Sequence, residues 1–247
     1  MTPVSLILGA AGATGTATAR MLAAAGHRVH LAGRDTSALE TLSADIGAAG
    51  VHELDARDIG AVKGVVDAVA GTEGRLDGVA NLVGSILLKP AHLTSAEEWD
   101  DTIATNLTSA FAVVRAAAPH MREAGGSIVL ASSAAAQTGI ANHEAIAAAK
   151  GGIIALVRSA AATYGANGVR VNAVAPGLTR ARMTARLVDN EAQAEASRRM
   201  HVLGRLGEPE DVASLVAWLM DPTTTWVTGQ TIGVDGGLGQ VHPRPKG

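Results

Sequence analysis

The sequence predicts an α/β fold: one doubly wound parallel sheet of about seven strands with helices on both faces. Short apolar runs alternate along the chain with longer helical patterns, which is typical of βαβ units. Hydrophobic residues make up 47% of the chain but aromatic residues only 2%, so aliphatic side chains must build the interior. Strands buried on both faces have this character. A length of 247 residues fits a single core of this class.

Each apolar run in the first half of the chain precedes one helical pattern. Taken in order, strand before helix, the expected pairs are residues 4–8 and 14–25, 28–31 and 36–48, and 51–54 and 59–70. In the second half, strands are expected at 78–82, 127–131 and 170–175, separated by long helices near 96–121 and 142–164. Ser95 and Glu98 form a capping-box pattern, and Pro209 marks the start of a helix that ends near Met220.

The alternation is interrupted from residue 176 to about 206, where arginines stand among acidic residues. The arginines of this segment are Arg180, Arg182, Arg186, Arg198 and Arg199. Mixed charge of this kind is ordinary on a solvated pair of amphipathic helices. Residues 240–247 contain two prolines and no periodicity, which predicts an extended or disordered tail after a domain that spans 1–239.

Charge and cysteine content argue against several classes of function. The formal net charge is -3 and no stretch is rich in Lys or Arg, so we expect no nucleic-acid partner. Without cysteine the chain forms no disulfide, thiolate metal site or cysteine nucleophile, and we predict no metal. No export signal precedes the first apolar run, and no apolar run reaches the roughly 18 residues that span a bilayer. We therefore expect a cytoplasmic protein without membrane contact.

Three glycines, Gly9, Gly12 and Gly15, follow the first predicted strand and open the first predicted helix. Missing side chains let the backbone approach a pyrophosphate, and helix N–H groups face its charge. The spacing predicts a dinucleotide site that includes Ala13 and Thr14. A purely structural tight turn is the alternative.

The end of the second strand predicts which dinucleotide binds. An acid there would bond the ribose 2′-hydroxyl and repel a 2′-phosphate, but this chain has Ala32 and Gly33 followed by Arg34, which can chelate a phosphate. We therefore expect NADPH to be preferred over NADH. The alternative is that Arg34 is a solvated turn residue beside Asp35, which caps the next helix.

These motifs, with others further along, resemble the short-chain dehydrogenase/reductase family over roughly 235 residues. In family order they are Gly9 to Gly15, Asn81, Asn106, Ser132-Ser133, Pro176-Gly177 and Val234 to Gly237. The resemblance implies a Rossmann fold, hydride transfer, a substrate lid at about 178–206, and a homotetramer with a dimer as the fallback. It also implies contacts to the cofactor from Asp55, Ala56, Asn81, Gly84, Lys150, Pro176, Gly177 and Thr179.

The resemblance further implies that Ser133 donates to a substrate carbonyl, Asn106 holds a water, and Lys150 bonds the nicotinamide ribose. Most members have a tyrosine four residues before the lysine, where this chain has Ile146. The only tyrosine, Tyr164, lies fourteen residues beyond Lys150. The family's usual proton donor is therefore missing.

His143 is a candidate for the missing donor, seven residues before Lys150 and hence on the same helix face, about 10 Å along the axis. Some enoyl reductases of the family place their tyrosine at that spacing. Glu144 is a weaker candidate because it points about 100° away. The competing interpretation makes His143 a polar residue of the helix's first turn.

We interpret the chain as an NADP-dependent oxidoreductase that acts on a carbonyl or an activated C=C bond. A non-catalytic NADP-binding sensor or subunit is the main alternative, and dehydration or isomerisation on the same scaffold is another. The arginines of the lid suggest a small-molecule substrate with an anionic group, such as a carboxylate or an acyl thioester.

Overall fold

The computed structural model describes residues 1–241, in which seven parallel strands form one sheet in the order β3-β2-β1-β4-β5-β6-β7. The strands are β1 Val4–Leu8, β2 Arg28–Gly33, β3 Gly50–Glu53, β4 Gly78–Asn81, β5 Gly126–Ala131, β6 Val169–Pro176 and β7 Thr231–Val234. The helices are α1 Ala13–Ala24, α2 Thr36–Ile46, α3 Ile59–Glu73, α4 Ala96–Ile103, α5 Ser109–His120, α6 Glu144–Tyr164, α7 Ala185–Val188, α8 Glu191–Met200 and α9 Pro209–Met220. The predicted fold class and its seven strands are confirmed.

Helices cover the sheet on both faces. Apolar side chains of α3, α5 and α6 pack with β1, β4, β5 and β6 into one core. On the other face, α1, α2 and α9 pack against the same sheet. Ser95 forms the predicted capping box with Glu98 at the start of α4.

Two long helices differ from their predicted form. Residues 96–121 do not form one continuous α-helix, because a π-helical turn at Ala104–Thr108 separates α4 from α5. Asn106 lies within this turn, and single π turns inside helices are frequent at functional sites. The second long helix begins at Glu144, so Asn142 lies outside it with a positive φ of 63°.

Helix α6 with its 3-10 extension, Glu144–Asn167, is long and apolar enough to cross a membrane by length and composition, contrary to the sequence expectation. Its apolar side chains, including Ile153 and Val157, are buried in the core beside the sheet. A core helix of this kind meets the same criterion, so it gives only weak evidence for a membrane span.

The order in which the chain adds strands to the sheet reverses beside β1. Its neighbours are β2 on one side and β4 on the other. The connections leaving the carboxyl ends of β1 and β4 therefore diverge and open a crevice, where ligands bind in folds of this class. The lid segment contains α7, α8 and a 3-10 turn at Arg182–Thr184. Of the predicted tail, residues 242–247 lie outside the described residues.

Candidate active site

The glycine turn after β1 leaves no room for side chains. A Cβ on Gly9 would lie 2.9 Å from the backbone of Leu82, and one on Gly15 would lie 2.2 Å from the carbonyl oxygen of Gly9. Gly9 also has a φ of +78°, which favours glycine. At Gly12, the N-cap of α1, no side chain caps the helix, so its first N–H groups remain available to an anion. This cradle fits a pyrophosphate.

The residues at and just after the end of β2, which we expected to determine which dinucleotide binds, lie in different environments. Ala32 is fully buried and cannot contact a ligand with its side chain. Asp35 caps α2 by accepting from the Ala38 N–H at 3.1 Å, as the sequence suggested. Arg34 is exposed beside this cap and forms no ion pair with a described residue. Its guanidinium is therefore open to a phosphate.

Asp55 is paired with Arg57, a residue that the sequence analysis missed. The Arg57 Nη2 lies 2.6 Å from Asp55 Oδ2, and the Arg57 N–H donates to Asp55 Oδ1 at 3.0 Å. These bonds from Arg57, together with the positive charge of Arg34, lower the pKa of Asp55 to about 2. Neighbouring Ala56 is buried. The predicted cofactor contact therefore belongs to a carboxylate that Arg57 already orients, and the Asp-x-Arg spacing is the sequence signal that could have found Arg57.

The end of β4 lies between the glycine turn at Gly9–Gly15 and the π turn that contains Asn106. Asn81 is buried, donates to Ser109 Oγ at 3.1 Å and accepts from the Val83 N–H at 3.1 Å. Asn106 is also buried and donates to the Thr102 carbonyl at 2.9 Å. Both asparagines therefore fix backbone geometry behind the crevice.

Gly84 lies between two predicted site residues. A Cβ at this position would be 3.1 Å from Asn106 Oδ1 and 3.4 Å from Lys150 Nζ. Ser85, which the sequence analysis did not single out, accepts from Asn106 Nδ2 at 3.0 Å and donates its N–H to Asn106 Oδ1 at 3.2 Å. Asn106 and Lys150 thus approach the same short loop.

Lys150 is buried on α6, and its Nζ donates to the Ala131 carbonyl at 2.7 Å. Burial lowers the pKa of Lys150 to about 8. Below that pH the crevice contains a partly desolvated ammonium group, which suits a ligand rich in oxygen acceptors.

Two serines follow β5 and differ in role. Ser132 is buried and donates to the carbonyl of Lys150 at 3.0 Å, which ties the strand end to α6. Ser133 accepts from the Ala135 N–H at 3.2 Å. Its own hydroxyl hydrogen thus stays available for an acceptor in the crevice, as the sequence predicted for this residue.

His143 is the N-cap of α6, not a residue of its first turn. Its backbone is non-helical, with φ -113° and ψ 14°, so the predicted alignment with Lys150 on one helix face does not apply. The Nδ1 atom lies 2.7 Å from the Ala141 carbonyl oxygen, which can only accept. Nδ1 therefore carries a hydrogen, and Nε2 is the ring nitrogen that remains for a ligand. Ile146 is 5% exposed, one helical turn before Lys150.

A single cavity of about 680 Å³ brings many of the predicted residues together. The predicted site residues in its lining are Thr14, Gly84, Ser133, His143, Lys150, Pro176, Gly177 and Thr179. Within the described lining, Lys150 and His143 are the only ionisable side chains, and Ile146 lies between them. The remaining wall is mainly apolar, with Leu178, Met183, Leu187 and Met200 from the lid side.

The lid arginines do not face this cavity, since none of the five belongs to its described lining. Arg180 pairs with Glu208 at 3.1 Å, and Arg199 pairs with Glu195 at 3.0 Å. Arg198 pairs with Glu195 as well, at 2.9 Å. Three of the five arginines are thus held in ion pairs, and none of the five is placed to bind an anionic group inside this cavity.

Comparisons with known proteins agree with this fold. The chain matches the family described as enoyl-(acyl carrier protein) reductase over residues 9–239. It is 34% identical over 242 residues to the 3-oxoacyl-(acyl-carrier-protein) reductase of Thermotoga maritima, covering 95% of this chain and 97% of the relative. It is 36% identical over 227 residues to the inactive 2-(S)-hydroxypropyl-CoM dehydrogenase 2 of Xanthobacter autotrophicus, covering 89% and 98%.

The solved structure of an actinorhodin polyketide ketoreductase variant with NADPH superposes with a TM-score of 0.90 at 26% identity, covering 97% of this chain and 98% of that one. The fold and the crevice define a Rossmann-type oxidoreductase. More narrowly, the chain belongs to the short-chain dehydrogenase/reductase family.

Proposed function

We propose that the protein is an NADP-dependent reductase that transfers hydride to a carbonyl or an activated C=C bond and uses a non-standard proton donor. The observation that carries the proposal is the buried Lys150 Nζ, which shares one cavity with Ser133 and lies beside the loop at Gly84. A protein that only bound nucleotide would have no evident use for a free hydroxyl at Ser133.

The residues present fit a nicotinamide dinucleotide. The Gly9–Gly15 cradle and the open end of α1 would hold the pyrophosphate, and Arg34 would hold the 2′-phosphate. Lys150 would bond the hydroxyls of the nicotinamide ribose, next to the turn set by Asn106. The bound cofactor would supply the hydride, and every other step falls to side chains of this chain.

Reduction of a carbonyl creates an alkoxide that needs a proton, and a positioned acid typically contributes ~10²–10⁴-fold. With Ile146 one turn before Lys150, no phenol stands at that position. Protonated His143 would donate from Nε2, because Nδ1 is committed to the Ala141 carbonyl. Ser133 would donate its hydroxyl to the same substrate oxygen.

The substrate class follows from the cavity wall. Its apolar side chains and the absence of arginine from its described lining favour a substrate with an apolar body around the reacting group. An acyl thioester with an apolar chain meets this description, since its carbonyl or enoyl group can reach Ser133 while the chain lies against Met183 and Leu187.

Saturation binding tests the proposed preference for NADPH over NADH. We expect NADPH to bind at least about tenfold more tightly than NADH, or ~1.4 kcal/mol. Arg34→Ala should remove most of that preference. Arg20→Ala is the matched control, because Arg20 forms an exposed pair with Asp45 at 3.0 Å away from the crevice. Equal dissociation constants in the unmodified protein would contradict the NADP assignment.

The reaction is tested by turnover of NADPH with a panel of ketones and enoyl thioesters. Consumption with either class assigns the reaction type. Tight NADPH binding without turnover of any member would favour the alternative, a non-catalytic NADP-binding sensor or subunit.

We also propose a cytoplasmic homotetramer, with a dimer as the fallback. Large apolar side chains lie exposed on the helices: Trp99 on α4 at 43%, Phe111 on α5 at 47% and Trp218 on α9 at 48%. Such exposure is typical of surfaces that other subunits cover. Light scattering that gives the monomer mass of 24.8 kDa at micromolar concentration would contradict the assembly.

A further inference from the structure

A buried histidine at the end of the lid, His201, connects the lid helix α8 to the loop that follows β6. It is 3% exposed and directly follows α8. Its Nδ1 lies 2.6 Å from the Ser197 carbonyl oxygen, and its Nε2 lies 3.2 Å from the Leu178 nitrogen. The carbonyl can only accept and the N–H can only donate, so His201 is a neutral imidazole with its hydrogen on Nδ1.

Two glycine backbones confine the imidazole. A Cβ on Gly177 would lie 2.6 Å from His201 Nε2, and one on Gly236 would lie 3.4 Å from His201 Cβ. The ring is therefore held between two glycine backbones, one after β6 and one after β7. It fixes three segments relative to one another: the loop at Gly177–Leu178, the end of α8, and the turn after β7.

The bond to His201 determines which backbone groups of the loop stay free. The Leu178 N–H is used by His201, and the Arg180 N–H donates to the Gly207 carbonyl at 2.9 Å. The N–H of Thr179, between them, has no acceptor among the residues that the structure describes. Thr179 lines the cavity. One backbone donor at the nicotinamide end of the cavity thus remains available to a ligand.

We infer that His201 is a positioning residue for the nicotinamide end of the cofactor. It does not itself belong to the described lining of the cavity, whereas Leu178 and Ser197, its two hydrogen-bond partners, both do. By joining them, His201 holds the loop and the lid helix in one arrangement, in which the Thr179 N–H faces no competing protein acceptor. The inference rests on the proposed binding of NADPH.

The test compares two ligands and two variants. NADPH reaches both ends of the crevice, while 2′,5′-ADP carries the phosphate end without nicotinamide. His201→Asn retains a donor for the Ser197 carbonyl but loses the acceptor for Leu178, so it should weaken NADPH binding about tenfold and leave 2′,5′-ADP binding within about twofold. His201→Gln can place an oxygen near the position of Nε2, and it should bind NADPH within about threefold of the unmodified protein.

His120→Asn is the matched control, because His120 lies on the surface and contacts Asp67 at 2.8 Å, away from the cavity. It should leave both dissociation constants unchanged. If His201→Asn does not fold, His201→Leu removes the same bond with a side chain of similar volume. Unchanged NADPH affinity, or equal weakening of both ligands, would overturn the positioning role alone. Failure of the unmodified protein to bind NADPH would overturn the proposed function and this inference together.

Discussion

Lys150→Met should stabilise the protein without cofactor while it weakens cofactor binding. Burial lowers the pKa of Lys150 from 10.5 to about 8, and at ~1.4 kcal/mol per pH unit this difference corresponds to about 3 kcal/mol against the buried ammonium. The substitution also leaves the Ala131 carbonyl without its donor Nζ, which costs about 1.5–2 kcal/mol of this gain. Methionine has nearly the same shape and no charge, so a net gain of about 1–2 kcal/mol is expected.

The two pKa values of Lys150, folded and unfolded, determine how the stability difference changes with pH. Because the folded pKa lies below the unfolded one, the unfolded chain binds more protons between pH 8 and 10.5, and the stability of the unmodified protein rises across that window. Below about pH 8 the folded protein bears the full free-energy cost of burying the Lys150 ammonium. Above about pH 10.5 both states hold a neutral amine and the cost is gone. The advantage of Lys150→Met should therefore be largest at neutral pH and should shrink as the pH rises through this range.

Thermal unfolding followed by circular dichroism measures this effect. A gain of about 1–2 kcal/mol corresponds to a rise in Tm of about 2–8 °C at pH 7 for a chain of this size. Addition of NADPH should raise the Tm of the unmodified protein more than that of Lys150→Met, because the variant lacks the ammonium that would bond the nicotinamide ribose. A lower Tm for Lys150→Met at pH 7 without cofactor would refute the reasoning, since it would mean that the ammonium contributes more through bonds than it loses by burial.

Two further substitutions test the proton donor. Ile146→Tyr places a phenol in the cavity one helical turn before Lys150, and should raise the kcat for ketone reduction, by up to ~10²–10⁴-fold if protonation limits the rate. A folded variant with the kcat of the unmodified protein would show that the phenol cannot reach the substrate or that protonation is not limiting. His143→Ala should lower kcat and flatten its decline with rising pH, because the Nε2 donor is lost. An active enzyme whose pH–rate profile survives this change would reject His143 as the donor, and water near Asn106 and Lys150 would remain as the proton source.

The strands, and several residues that share the cavity, were predictable because their signals are local. Val4–Leu8 is a strand both in the prediction and in the structure, and the positions of other strands along the chain follow from the alternation of apolar runs with helical patterns. The glycine turn was predictable because glycines, which have no side chains, stand directly before the start of a predicted helix. Element ends shifted by a few residues where the ladder of hydrogen bonds extends beyond the apolar run, as at the end of β2.

The prediction that His143 lies on one helix face with Lys150 was wrong for a physical reason. Spacing places residues on one helix face only inside the helix, and α6 begins one residue later, after a turn at Asn142 with a positive φ. Nothing in the sequence marks that turn strongly. The same argument applies to the helix expected over residues 96–121, which the π turn at Asn106 interrupts.

The sequence by itself determined the fold class and the residue types that gather at the carboxyl edge of the sheet, since composition, periodicity and glycine spacing are carried by neighbours along the chain. Tertiary structure alone decided what each polar group contacts. It paired Arg180 and Arg199 with acids, turned Arg57 towards Asp55, and enclosed His201 between Ser197 and Leu178. All of these contacts depend on side-chain directions, and those of Arg180 with Glu208 and of His201 with Leu178 join residues distant in sequence. A charged or polar side chain takes the partner that desolvation leaves within reach.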